Sequence, residues 1–240
     1  YKHGEHWYLA FASTCCPEGI GYAMSDSPTG PWRSMGHIMD RTWRTRGNHP
    51  GIIDYKGKSY VFGLNYDLMH LETFRHHEQS SVSAAEMHYN ADGSIQKVPY
   101  WMDNVLEQIE TFNPYRRVEA ETMAWGYGLK TEPLENSRNL LVTNVNDGEY
   151  IKLAGVDLGK GAKRLSYNLA AVPGSSIEVR IDSKDGPLLG TINVGKSSSL
   201  TRFKTFTTGL SKTAGVHDLY FVFHGEKGAE LMKLDWWKME

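Results

Sequence analysis

The chain has 240 residues, of which 40% are hydrophobic and 22% are charged, and its formal net charge at pH 7 is −2. This composition is that of an ordinary globular protein with enough apolar material for one or two hydrophobic cores. Acidic and basic residues are interspersed and no apolar run approaches the roughly 20 residues of a membrane-spanning helix, so we expect neither nucleic acid nor a membrane as a partner.

The opening phrase of the chain returns about 50 residues later, as YKHGEHWYLAF at residues 1–11 and DYKGKSYVFGL at residues 54–64. With Tyr8 aligned on Tyr60, the period lies in the range of β-propeller blades, each of which is a four-stranded sheet. Two similar hairpins that recur by chance are the alternative. Because a propeller closes with at least about four blades, the two blades in residues 1–112 predict further blades, from another chain or from a segment outside these residues.

Several polar residues of the first half are predicted to be structural. Cys15 and Cys16 are adjacent, which fits neither a disulfide nor the spacing of a metal knuckle. His76 and His77 are neighbours whose side chains point apart, so a solvent-exposed loop is favoured over a metal site. Three aspartates stand in turn contexts where the carboxylate accepts hydrogen bonds from local backbone donors, namely Asp26, Asp54 and Asp92.

The second half, residues 113–240, reads as short strands separated by Gly, Pro, Asn and Asp, which predicts an all-β domain. The stretch PYWMDNVLEQIETF before it allows one helical turn at most. The segment IEVRID at residues 177–182 alternates apolar and polar residues and predicts a strand with one wet face. The segment DLYFVFHG at residues 218–225 predicts a strand buried on both faces. Trp236 and Trp237 are adjacent, so one should enter the core while the other faces outward.

Two groups of segments resemble known families. WYLAFAST, GIGYAMSDSPTGPW, NHPGIIDYKGKSYVF and SVSAAEMHYNADGSIQKV resemble the last two blades of glycoside hydrolase family 43, five-bladed propellers that release arabinose or xylose from plant cell-wall polysaccharides. NPYRRVEAETMAWGYGLKTE, LVTNVNDGEYIKLAGVDLG and GVHDLYFVFHGEKGAELMKLDWW resemble a family 6 carbohydrate-binding module, a jelly-roll β-sandwich. The resemblance thus implies two final propeller blades in residues 1–112 and a β-sandwich in residues 113–240.

This pairing is typical of secreted arabinoxylan arabinofuranohydrolases, and it implies a part of an inverting α-L-arabinofuranosidase that acts on arabinoxylan or xylan. Inversion needs a carboxylic acid to protonate the leaving oxygen and a carboxylate to activate water, about 6.5 to 9.5 Å apart. The family's Glu acid and both of its Asp residues precede the matching segments, so we expect no catalytic carboxylate in these residues. A β-xylosidase or arabinanase of the same family, a non-catalytic polysaccharide-binding protein and a scaffold without sugar affinity stay open.

The resemblance implies that His49, in GNHPGI, points to the propeller axis and helps to hold a central ion or water, the alternative being an ordinary loop histidine. The family's arginine on the following strand is replaced by Ser80, and Arg75 could substitute only by reaching from the loop. Trp43 and Tyr66 are candidate rim aromatics for a sugar face. They could equally pack between blades.

In the second half the resemblance implies a structural calcium between the first and last strands, with Glu119, Glu121 and Asp235 at the matching positions. Calcium prefers six to eight hard oxygen ligands, and carboxylates from separate segments can join both ends of the module. Glu119 and Glu121 share a strand face by the period-two rule, which is the geometry needed for two ligands on one ion. Ordinary solvent-facing acids are the alternative.

Family 6 modules usually hold a sugar between two aromatic rings at a loop cleft, with an Asn that bonds its hydroxyls. Here Phe203 stands at the position of the stacking Trp, Asn144 at that of the opposite ring and Glu230 at that of the Asn, so this cleft departs from the pattern three times. Trp125 and Tyr127 are candidates for stacking instead, or they cover the sandwich edge. A second cleft on the sheet face is left open.

Overall fold

The computed structural model describes residues 1–13, 17–45, 48–67, 82–104, 106–135, 137–196 and 198–240. Six residues with sequence-based predictions lie outside these ranges, namely Cys15, Cys16, Arg75, His76, His77 and Ser80. Within the described ranges, no helix has the length and apolar character needed to cross a bilayer.

The described residues are mainly strands and turns. A short 3-10 helix at Trp101–Asp103 lies inside the stretch predicted to allow one helical turn, and residues 66–67 are also helical. Contacts divide the chain into two compact units, Tyr1–Glu107 and Gln108–Glu240. Residues 108–112, which the sequence assigns to the first domain, belong to the second unit, where Phe112 pairs with Val156 in an isolated bridge.

The first unit contains two antiparallel sheets whose strands follow one another in chain order. The strands of the first sheet are β1 (Lys2–His3), β2 (His6–Ser13), β3 (Gly19–Ser25) and β4 (Arg33–Met39), and those of the second are β5 (Gly51–Tyr55), β6 (Lys58–Leu64) and β7 (Val82–Met87). One hydrophobic core, which includes Tyr8, Met24, Val61 and Met87, joins the facing sides of the two sheets.

The internal repeat is present as two structurally equivalent second strands. Tyr8 in β2 and Tyr60 in β6 are 2% and 4% exposed. The next residue along each strand points to the opposite face of its sheet. In β6 that residue is Val61, which is fully buried against the first sheet, whereas in β2 it is Leu9, which is 50% exposed. The far sides of the pair therefore carry apolar side chains that the described residues leave partly uncovered, including Leu9, Phe11, Ile53 and Phe62.

The second unit is a sandwich of two antiparallel sheets. Its strands are β8 (Val118–Glu119), β9 (Trp125–Tyr127), β10 (Lys130–Pro133), β11 (Leu140–Val145), β12 (Tyr150–Asp157), β13 (Arg164–Ala171), β14 (Ser176–Ile181), β15 (Leu188–Asn193), β16 (Lys204–Gly209), β17 (Val216–His224) and β18 (Met232–Met239). The order in one sheet is β10-β11-β18-β13-β16, with β8 beside β18, and in the other it is β15-β14-β17-β12-β9.

An aromatic cluster joins the two sheets at the centre of the sandwich. The ring of Phe221, from one sheet, meets Tyr167 and Trp237, from the other, edge-on with centroids 5.3 and 5.2 Å apart. Edge-to-face contacts of this kind are favourable beyond the area that they bury. Trp237 is fully buried and Trp236 faces outward beneath the guanidinium of Arg117, as predicted for this pair.

Burial along β14 alternates between half-buried and buried residues, which confirms the prediction for IEVRID. The prediction for DLYFVFHG is wrong in part. Leu219, Phe221 and Phe223 point into the core, but Tyr220 on the other face is only half-buried. Aromatic and β-branched residues favour strands whether or not both faces of the strand are covered. A strand with such residues on its outer face therefore has the same sequence pattern as a strand buried on both sides.

The three turn aspartates are structural in the described chain. Asp92 accepts a hydrogen bond from the backbone N–H two residues on, at 2.9 Å, as predicted. The other two bond side chains rather than local backbone donors. Asp54 accepts the hydroxyl of Ser59 at 2.5 Å, and Asp26 lies 3.1 Å from the Nδ1 atom of His6.

Gly63 provides a test of packing in the first unit. A Cβ atom at this position would lie 2.5 Å from Cζ2 of Trp101 and closer still to Oδ1 of the buried Asn48. We expect Gly63→Ala to destabilise the unit by about 1 to 3 kcal/mol, because a tight core resists an added methyl group. Gly51→Ala is the matched control, since the atom nearest to its added Cβ, in Phe62, is 4.0 Å away. Urea unfolding of both variants would measure the difference, and equal stabilities would contradict this packing.

Candidate functional site

One end of the first unit is built from three connections that bond one another. They are the residues before β3, the segment between β4 and β5, and the residues after β6. The backbone N–H of Glu18 donates to the carbonyl of Thr45 at 3.0 Å, and its carboxylate accepts the N–H of Asn48 at 3.1 Å. Arg44 donates to Asp67 at 2.7 Å. The candidate residues Trp43, His49 and Tyr66 all lie in these connections.

His49 stands just before β5 and is exposed. Its neighbour Asn48 is fully buried and directs its amide group toward the sulfur of Met39, 3.6 Å away. The Oδ1 atom of Asn48 has no hydrogen-bond partner among the described residues. A buried Asn48 fixes the backbone beside the exposed imidazole, which is free to bind an ion, a water or a substrate hydroxyl.

The two rim candidates differ in exposure. The side chain of Trp43 is 80% exposed. Tyr66 is half-buried and precedes Asp67, the residue that Arg44 contacts. Trp43 is therefore largely uncovered by the described residues of this unit, whereas Tyr66 is partly covered.

The three predicted calcium ligands lie close together in the second unit, but the backbone that brings them together differs from the predicted strand. Glu119 and Glu121 do not share a strand face, because β8 ends at Glu119 and a turn from Glu119 to Thr122 follows. Only Val118 and Glu119 pair with β18, so the extended conformation has no partner beyond them. Asp235 falls at a bulge in β18, where its neighbours Leu234 and Trp236 face consecutive residues of β13. Bulges re-aim the side chain of the extra residue.

The electrostatics of this cluster are those of crowded acids. Burial raises the pKa of Asp235, and Glu119 and Glu121 raise it further against the opposing charge of Arg117. Arg117 donates to Glu119 at 2.7 and 3.0 Å and lies 3.6 Å from Asp235, beyond hydrogen-bond distance for this pair. One cation thus faces three carboxylates.

Whether the cluster fits a metal ion depends on its oxygens. Glu121 Oε2 and Asp235 Oδ1 are buried and have no hydrogen-bond partner among the described residues. However, no group of three or more His, Cys, Asp or Glu side chains in the described chain is arranged as a metal site. Arg117 accounts for this difference, because it draws the carboxylate of Glu119 to itself. The donor set is chemically that of calcium, and two unpartnered carboxylate oxygens are of the kind that such an ion binds.

The loop cleft of the sandwich is closed by its own hydrogen bonds. Glu230 accepts the backbone N–H of Asn144 at 2.8 Å, so the structure brings these two candidates together. Asn144 has a φ of 57° and donates its amide to the carbonyl of Gly128 at 3.0 Å. Phe203 is half-buried just before β16. The polar groups here bond one another rather than point into an open aromatic slot.

The outer face of the five-stranded sheet carries an aromatic row instead. Trp125 and Tyr127 lie on its edge strand β9 and pair with Lys152 and Tyr150 of β12. The rings of Tyr127 and Tyr150 stack with centroids 6.0 Å apart, and Tyr150 and Tyr220 are 5.9 Å apart. Three tyrosines from three adjacent strands thus form one row, which we call the tyrosine face.

Charged groups border the tyrosine face. Lys152 lies 5.8 Å from the ring of Tyr220 and pairs with Asp218 at 2.7 Å. Arg180 bonds Glu178 at 2.7 Å, and this hydrogen bond lowers the pKa of the Glu178 carboxyl. Flat rings beside ionised donors and acceptors can bind the faces and the hydroxyls of sugars.

Sequence reasoning found Tyr127 but missed Tyr150 and Tyr220. The signal was available in the period-two pattern of each strand, which puts Tyr150 with Lys152 and Tyr220 with Val222 on the face opposite the core. What the pattern could not supply was the order of strands, which places Tyr150 between the other two rings.

Comparisons with known proteins agree over both units. Residues 119–240 match the family "Carbohydrate binding module (family 6)". The chain is 34% identical over 98% of its length to an arabinoxylan arabinofuranohydrolase of Paenibacillus polymyxa and 35% identical over 92% to one of Bacillus subtilis. It covers 40% and 45% of these relatives, so it spans less than half of their length.

Solved structures extend the agreement to the fold. A glycoside hydrolase family 43 arabinoxylan arabinofuranohydrolase from Bacillus subtilis, in complex with cellotetraose, matches all of this chain with a TM-score of 0.86 at 31% identity, and the chain covers 52% of it. A family 6 module from Clostridium cellulolyticum, in complex with xylose, matches 54% of the chain with a TM-score of 0.50 at 31% identity, and the match covers 99% of that module. The predicted fold class, blades of a family 43 propeller followed by a jelly-roll sandwich, is confirmed.

The jelly-roll topology of the second unit and these matches lead to one assignment: the chain belongs to carbohydrate-binding module family 6 through residues 119–240, and the sheets before these residues are similar to those of a family 43 arabinoxylan arabinofuranohydrolase.

Proposed function

We propose that this chain is part of a secreted, inverting enzyme that removes α-L-arabinofuranosyl side chains from arabinoxylan. The observation that carries the proposal is the match of the whole chain, at a TM-score of 0.86, to a family 43 arabinoxylan arabinofuranohydrolase. Relatives of the same description at 34% and 35% identity support it. A polymer of the plant cell wall is met outside the cell, which is the reason to place the protein there.

The exposed flanks of the first unit support a longer protein. Leu9 and Val61 occupy equivalent positions, yet only Val61 is covered. Burial of a Leu or Phe side chain stabilises a fold by about 1.5 to 3 kcal/mol, so a bare flank favours a covering sheet. We assign this cover to further propeller blades, and the acid and base of the reaction to residues on them.

In this scheme residues of the first unit position the substrate. His49 and Trp43 lie in connections at one end of the sheets, and His49 stands at the start of β5. We place the His49 imidazole at the propeller axis, where it bonds a central ion or water, and Trp43 and Tyr66 on the rim. The acid then protonates the leaving xylan oxygen while the base activates water on the opposite face of the arabinose ring.

A full-length protein that contains this chain should release L-arabinose from arabinoxylan. Inversion predicts that the β-anomer forms first, which proton NMR of the early reaction would record. Linear arabinan and an aryl β-xyloside serve as comparison substrates, because an arabinanase or a β-xylosidase would prefer them. If the protein binds arabinoxylan but cleaves none of the three, the non-catalytic alternative holds instead.

We further propose that the sandwich binds xylan on the tyrosine face rather than at the loop cleft. Asn144 and Glu230 bond each other, so a sugar at the loop cleft would have to displace an internal hydrogen bond. On the tyrosine face the rings of Tyr127, Tyr150 and Tyr220 form a row beside Lys152. Such a row presents flat surfaces to successive sugar rings.

Tyr150 stands at the centre of the row, so Tyr150→Ala should weaken retention in arabinoxylan-containing gels by about tenfold in apparent affinity, as loss of a well-stacked ring predicts. Tyr55→Ala is the control, because it removes an exposed tyrosine ring, 49% exposed, from the first unit and leaves the tyrosine face unchanged. Phe203→Ala tests the loop cleft. If Phe203→Ala loses retention and Tyr150→Ala keeps it, the sandwich binds xylan at the loop cleft and not on the tyrosine face.

The carboxylate cluster is proposed to hold a structural calcium, with Glu119, Glu121 and Asp235 as protein ligands. The ion would neutralise acids that a single Arg117 faces in this structure, and it would tie the first strand of the sandwich to the last. The support is the pair of buried, unpartnered oxygens on Glu121 and Asp235. A second ion at the propeller axis, beside His49, is proposed on the family resemblance alone.

Calcium should therefore raise the melting temperature of the sandwich, and a chelator should lower it. At calcium one hundred times its dissociation constant the gain is about 2.7 kcal/mol. Asp235→Asn should abolish the response, while the control Asp218→Asn, which alters an acid paired with Lys152, should keep it. Differential scanning calorimetry with and without EGTA checks this. If calcium does not change the melting temperature, the cluster binds no calcium and Arg117 alone balances its charge.

A further inference from the structure

The turn that carries Trp43 is held by reciprocal hydrogen bonds. Within Thr42–Thr45, the N–H of Thr45 donates to the carbonyl of Thr42 at 3.0 Å, and the N–H of Thr42 donates to the Thr45 hydroxyl at 2.9 Å. The side chain of Thr45 is 1% exposed, and its carbonyl accepts the N–H of Glu18. The turn is therefore anchored to the body of the first unit at its last residue.

Arg44, the next residue after Trp43, ties the turn to two other segments. Its Nε atom donates to Asp67 at 2.7 Å and its Nη1 atom to Asp103 at 3.1 Å. The guanidinium lies over the ring of Tyr100, 4.1 Å from its centroid, and the hydroxyl of Tyr100 donates to the backbone carbonyl of Arg44 at 3.1 Å. The side chain and backbone of Arg44 are thus fixed by four contacts with three residues.

Against this anchoring, Trp43 directs an 80% exposed indole into solvent. A flexible loop could fold such a ring back onto apolar surface, but a turn fixed at Thr45 and Arg44 cannot. A single exposed ring is common on protein surfaces, but this one stands on a turn that is bonded at both Arg44 and Thr45, so the indole stays presented to solvent in one place. The flat indole suits the apolar face of a pyranose.

We infer that Arg44 is a positioning residue that holds Trp43 as a stacking platform for a xylopyranosyl unit of the polysaccharide main chain. The inference rests on the proposed hydrolase function and adds the residue that fixes the platform. Arg44 does not touch the sugar, and its effect on the enzyme passes through Trp43.

An arginine is needed at this position because its planar fork satisfies two carboxylates from two nitrogens and stacks on Tyr100 at the same time. Lysine offers one compact ammonium group on a flexible stem and cannot do all three. Arg44→Lys keeps the charge, so it isolates geometry from electrostatics.

The test uses the full-length enzyme and two substrates, arabinoxylan and an aryl α-L-arabinofuranoside that is too small to reach a main-chain platform. We expect Trp43→Ala to raise KM for arabinoxylan about threefold to tenfold with little change in kcat, and to leave the aryl substrate unaffected. Arg44→Lys should shift KM in the same direction, and the double variant should be no worse than Trp43→Ala alone, because Arg44 acts only through Trp43.

Trp32→Ala is the matched control, since Trp32 is 37% exposed and lies in the β3–β4 connection rather than beside β5. Its KM should equal that of the unmodified enzyme.

If Trp43→Ala lowers the melting temperature and slows both substrates alike, Trp43 packs between blades and the inference is overturned. If the two effects in the double variant add, Arg44 acts independently of Trp43, which overturns it as well. Failure of the unmodified protein to cleave either substrate would overturn the proposed function itself.

Discussion

The fold of the first unit depends on one constraint: a sheet with apolar side chains on both faces must be covered on both. The core between the two sheets meets this constraint for Tyr8 and Val61, which are nearly or fully buried. It does not meet it for Leu9, the counterpart of Val61, which is half exposed. Since the same sequence phrase folds into the same strand twice, the difference lies in the neighbouring sheet and not in the strand. The sandwich is different, because both of its sheets direct their apolar residues into one shared core.

Features that repeat along the chain could be predicted from sequence, whereas features that depend on strand order could not. Tyr8 and Tyr60 share a context, and the shared context identified the blades. The row of Tyr127, Tyr150 and Tyr220 depends on β12 lying between β9 and β17, which no local pattern records. Glu121 shows the same limit at shorter range. Period two holds only while a strand is paired, and pairing with β18 ends at Glu119.

The carboxylate cluster shows how packing and charge are linked in the sandwich. A bulge turns Asp235 toward the acids of the first strand, where burial raises the pKa of Asp235 and the charges of Glu119 and Glu121 raise it further. Arg117 compensates part of the charge while its guanidinium also covers Trp236. Removing Arg117 would leave uncompensated charge in a partly buried site, which is costlier than the loss of a surface ion pair. The position of the first strand is thus controlled by charge as much as by apolar contact.

Sugar surfaces on both units make sense in terms of effective concentration. A pair of stacked aromatic rings contributes about 0.5 to 1.5 kcal/mol beyond the area that it buries, and a contribution of that size from one ring on a pyranose would alone give only weak binding. When two such surfaces belong to one chain, binding at the first raises the local concentration of polymer at the second, without any new contact. On the proposed function, the sandwich can then tolerate a loop cleft in which Asn144 and Glu230 bond each other, because retention on the polymer and selection of the side chain are separate tasks. Under these proposals Trp43 orients the polysaccharide, and the tyrosine face keeps it near.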